Sequence, residues 1–61
     1  MSELAQERLI FIEALHAVFI TKKGLGAFAF VSIADVMRLF EQYKHSNESA
    51  KLLMRRYVNS I

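Results

Sequence analysis

The side chains in this chain best suited to chemistry are its late cations. Lys51, Arg55 and Arg56 share the polar side of the final stretch, Asn47 to Ile61, with Asn47, Ser49 and Asn59. Arginine offers a rigid fork of donors that fits phosphate oxygens and guanine edges, and asparagine offers a donor–acceptor pair that fits adenine. Lys22, Lys23 and Lys44 supply three further point charges suited to phosphate. The chemistry these residues imply is non-covalent capture of an anion. Covalent chemistry lacks its parts. There is no cysteine, which removes thiol nucleophiles, thiolate metal sites and disulfides together. His16 and His45 are isolated in sequence, with no cluster of ligands around them, and the serines are best explained as helix caps. The sequence therefore predicts a protein that is no enzyme and carries neither metal nor cofactor. His16 reads as a rim imidazole with one hydrogen bond or, functionally, as a pH-sensitive or ligand-binding one.

Stepping from these residues to the elements that hold them, the last stretch has its apolar positions at Ala50, Leu53, Met54, Tyr57, Val58 and Ile61. That is the spacing of one helical face, and it predicts a helix over 47–60 capped by Ser46 or Asn47, with Glu48 in its first turn. Before it, Ile33, Val36, Met37, Phe40 and Tyr43 give a second amphipathic helix over 33–44, opened by Ser32 and Asp35 in the order of a capping box. A third helix spans 3–20, with Ser2 as its cap and Glu3 in its first turn. Its apolar residues, among them Leu4, Phe11, Ile12, Leu15 and Phe19, cover more than half the circumference, with Arg8 snorkelling inside that arc. Thr21-Lys22-Lys23-Gly24 closes this helix, with Gly24 in the left-handed position that ends helices. Gly24-Leu25-Gly26 lacks the lysine and spacing of a phosphate loop. Ala27 to Val31 alternates small and large residues, which suits a short strand or an extended connector dropping Phe28 and Phe30 into the core. The expected fold is an all-α, three-helix domain over residues 1–61, with a possible short strand at 27–31.

Composition bears on partners. Sixty-one residues make one small domain, and 54% of them are apolar, more than such a domain readily hides. A second copy is the simplest cover, and Leu4, Phe11, Ile12, Leu15 and Phe19 on the wide arc are the expected oligomer interface. The net charge of +2 is uneven. Glu3, Glu7 and Glu13 outnumber Arg8 up to residue 20, and cations dominate thereafter, as suits nucleic acid or an acidic protein surface. No secretory leader is visible, and no run reaches the roughly 18 apolar residues of a membrane span. An interfacial helix over 4–20 would show anionic lipid an acidic face. The expectation is a cytoplasmic protein without a membrane.

Ser32-Ile33-Ala34-Asp35-Val36, followed by Ser49-Ala50-Lys51-Leu52-Leu53, resembles helix-turn-helix regulators in general, over about half the chain. The resemblance implies a transcriptional regulator on double-stranded DNA. Its second helix would lie in the major groove, with Asn47, Ser49, Lys51, Arg55, Arg56 and Asn59 facing DNA and Lys22, Lys23 and Lys44 on the backbone. The Lys44–Asn47 break is looser than the usual turn, and the basic residues sit mid-helix, away from its reading end. A strand followed by two helices is also the order of a ribbon-helix-helix, but Ala27–Val31 has no polar residue to read a base. The competing class is a non-enzymatic protein-binding regulator, of the kind phages and plasmids use as inhibitors or adaptors, acting through its apolar helix surface on a larger protein.

Overall fold

The computed structural model describes residues 3–61. The expected cap Ser2 lies outside them. Three α-helices form, α1 (Glu3–Lys23), α2 (Ile33–Lys44) and α3 (Ala50–Asn59), with one 3-10 turn at Ala27–Ala29 and no strand among the described residues. The protein is an all-α three-helix domain.

Helix α1 is the spine. Its 21 residues rise about 1.5 Å each, which matches the molecule's longest extent of 31 Å. It runs one turn further than the apolar pattern implied, through Lys22 and Lys23. Two cations at a helix C-terminus oppose the negative end of the dipole and hold that turn. Gly24 then ends it at φ 81°, its N–H donating to the Ile20 carbonyl at 2.9 Å.

The segment 27–31 is no strand. The amides of Ala29, Phe30 and Val31 donate to the carbonyls of Gly26 and Ala27 within the segment itself. Its backbone needs are met locally, so no partner strand is required. Buried Ala27 sits in the core and Phe30 stacks on Phe19 at 5.4 Å, whereas Phe28 points out, 51% exposed. Gly26 lies so close to α1 that an added Cβ would fall 2.0 Å from Cε1 of His16.

Helix α2 opens on the expected capping box. Ser32 Oγ accepts from the Asp35 amide while Asp35 returns a carboxylate oxygen to the Ser32 amide. Helix α3 starts later than expected. Ser49 is its cap, accepting from the Leu52 amide at 3.3 Å, and Ser46 instead takes the Glu48 amide in the preceding loop. A hydroxyl one residue before the first apolar position caps better than one three residues earlier, because its oxygen reaches the free amides of the first turn.

The helices run up, down and up. Phe11 meets Phe40 edge-on at 5.2 Å and stacks on Tyr43 at 5.4 Å, so early α1 lies by late α2. Lys23 Nζ donates to the Ile61 backbone oxygen at 2.8 Å, so the ends of α1 and α3 lie together. The core is Phe11, Leu15 and Phe19 of α1, Ala27 of the 3-10 turn, Val36, Leu39 and Phe40 of α2, and Leu53, Met54 and Val58 of α3. This corrects part of the expected oligomer interface. Phe11, Leu15 and Phe19 are at most 4% exposed in the single chain and cannot meet a partner. Ile12 is half-buried against the same core, and Leu4, near the helix start, is exposed.

Candidate anion-binding site

Packing α3 through Leu53, Met54 and Val58 decides where its cations go. Lys51 and Arg55 are one turn apart and therefore share a flank, which Asn59 continues one turn on. That flank faces the last two turns of α1. Ala17, Val18, Thr21 and Lys22 from α1, with Lys51 and Arg55 from α3, line an open cleft of about 210 Å³. The small side chain of Ala17 helps keep it open. Its floor is apolar and its rim holds three cations. Among the described residues, Lys22, Lys51 and Arg55 enter no ion pair and no side-chain hydrogen bond.

The remaining nominated residues are placed differently. Arg56, 100° further round α3, leaves the cleft for the other flank and pairs with Glu48 at 2.7 Å. Lys44 pairs with Glu7 of α1 at 2.5 Å and lies over the Phe40 ring. The Glu7 hydrogen bond holds the Lys44 ammonium above the ordinary lysine value. Lys23 is bonded to the Ile61 carbonyl. Ser49 spends its oxygen on the α3 cap, and Asn47 is an exposed loop residue before it. Arg38, which the sequence did not single out, is tied to Asp35 one turn earlier. The Ser32 amide, with Arg38 second, holds the Asp35 carboxyl below its usual value.

A larger cleft of about 540 Å³ lies across α1, lined by Glu7, Ile10, Phe11, Tyr43, Lys44, Ser46, Glu48 and Ala50. Its charges are already matched, Glu7 to Lys44 and Glu48 to Arg56. No buried side-chain polar atom lacks a partner, and no three histidines or acids cluster as for a metal, among the described residues. Nor is any helix among them long and apolar enough to cross a membrane.

Sequence patterning nominated Lys22, Lys51 and Arg55 but not their company. Ala17, Val18 and Thr21 were missed because their role depends on α3 lying beside them. No family model, curated protein or solved structure matches the chain. The site therefore rests on its own geometry.

Proposed function

We propose that this protein is a small, non-enzymatic nucleic-acid-binding module, working as a transcriptional regulator, that grips the phosphate backbone of duplex DNA at the cleft between α1 and α3. One observation carries the reading: three cations from two helices surround a single open cleft and have no anion of their own among the described residues. Like charges held together in this way gain from a polyanion, which also gives up its condensed counterions when it is neutralised. Lys22, Lys51 and Arg55 are the phosphate contacts, with Asn59 an added donor along the same flank. Base reading by the start of α3 is not part of the proposal, since Ser49 is occupied in capping and Arg56 in an ion pair. The test is fluorescence anisotropy with a mixed-sequence duplex over a salt series. Three phosphate contacts predict a log–log slope of about −2.7. No binding at the lowest salt would refute the proposal.

A second reading has its own observation. Leu25, Phe28, Phe30 and Ile33 are 39–59% exposed within nine residues of one another, an apolar surface of the kind that partner proteins cover. A regulator acting on a larger protein would use that surface. Replacing Phe28 and Ile33 with serine would then abolish its regulatory effect while leaving DNA affinity unchanged. Loss of both together would tie the patch to the nucleic-acid site.

A further inference from the structure

The core face of α1 does not exhaust its apolar residues. Leu9 and Ile20 are each 47% exposed, and with Glu13 and His16, both exposed, they form the series 9, 13, 16, 20. Steps of four, three and four are the spacing of a seam between paired helices. At 100° per residue the four fall within about 60° of one another, centred about 130° from the Phe11–Leu15–Phe19 face. This second seam is turned away from the core that α1 supports.

We propose that this face is the contact between two copies of the chain, paired antiparallel through α1 about a two-fold axis between Ala14 and Leu15. The series is its own complement in that arrangement. Leu9 meets Ile20 of the second copy and Glu13 meets His16, each pair occurring twice, as an isologous contact requires. Gln6 falls opposite Lys23 at either end. A parallel, in-register pair would set Glu13 against Glu13, which like charge opposes. The antiparallel pair turns that repulsion into two hydrogen bonds between a carboxylate and an imidazole. A carboxylate–imidazole hydrogen bond in one register and like charge in the other therefore single out both the occupant and its direction. The connector borders this face where Gly26 lies against His16. One helix pair buries little area for a stable complex, so the dimer is weak and concentration-dependent.

Sedimentation equilibrium on the full chain tests this. The wild type should pass from monomer to dimer as concentration rises. Leu9→Glu, at an exposed position, should keep the helical far-ultraviolet spectrum and raise the dimer dissociation constant at least about tenfold. Glu13→Lys should weaken the dimer by several fold, and adding His16→Glu should restore it to within about threefold, because lysine and glutamate then meet across the axis. That rescue separates this register from any other apolar contact. A wild type still monomeric at about 1 mM, a dimer indifferent to Leu9→Glu, or a double variant no tighter than Glu13→Lys alone would overturn the proposal.

Discussion

The two clefts beside α1 are each lined by three charged side chains, yet only one is left with a field. In the larger cleft Glu7, Lys44 and Glu48 all have partners of opposite sign, Glu7 with Lys44 and Glu48 with Arg56. In the smaller one Lys22, Lys51 and Arg55 are all positive and none is paired among the described residues. The cause is the charge gradient along α1 combined with the directions of its neighbours. Its acidic first half lies beside the basic end of α2. Its basic last turn lies beside the basic flank of α3. A count of charged side chains would rank the two regions alike, while their sign and pairing separate a self-neutralised surface from one that still attracts an anion.

The most drastic way to break this comparison is to remove the wall the clefts share. Phe19→Ala empties a fully buried position and should cost about 3–5 kcal/mol, read as a fall in the urea midpoint. In a domain this small that is much of the total stability, so both clefts should be lost together. The most selective way is to strip one side. Replacing both Lys51 and Arg55 with alanine should flatten the salt dependence of DNA binding by about two contacts' worth of slope, whereas Lys44→Ala should leave it nearly unchanged. Equal effects would show that the pairing of Lys44 does not matter.

Smaller changes sharpen the contrast. Glu7→Gln releases Lys44 and should tighten duplex binding by a few fold at low salt, with the gain lost as salt rises. Unchanged affinity would place Lys44 outside the DNA footprint altogether. The smallest effect concerns pH. The folded Asp35 carboxyl sits below its ordinary value, chiefly through the Ser32 amide and then Arg38. A depressed carboxyl contributes stability that is full above its unfolded value, near 3.8, and is lost as pH falls through its folded value. Asp35→Asn should therefore flatten the acid limb of the stability–pH curve slightly. Urea titrations between neutral pH and about pH 3 would register the difference.

How much of the protein was legible beforehand depends on the range of the forces involved. The helical faces of α2 and α3, the capping box at Ser32 and the left-handed Gly24 could all be read directly, because each is settled among neighbours a few residues apart. The segment 27–31 misled because alternation of small and large side chains describes a strand only if a second strand is there to pair with. A 3-10 turn that serves its own amides makes the same residues stable without one. Helix α1 misled differently. With apolar residues almost all round, its pattern cannot say which of them face inward, and Phe11, Leu15 and Phe19, on the arc expected to meet a partner, form the core.

The sequence by itself determined three helices, the capping box of α2 and the supply of cations, since periodicity, capping and propensity act within a turn or two of the chain. Which cations stay free was decided only by the tertiary structure. Lys22 lies 29 positions before Lys51 and shares a cleft with it because α3 packs along α1. Lys44 is matched by Glu7, 37 positions away, because α2 runs back along that helix. Charge interactions act through space, so their outcome waits until packing has chosen the neighbours.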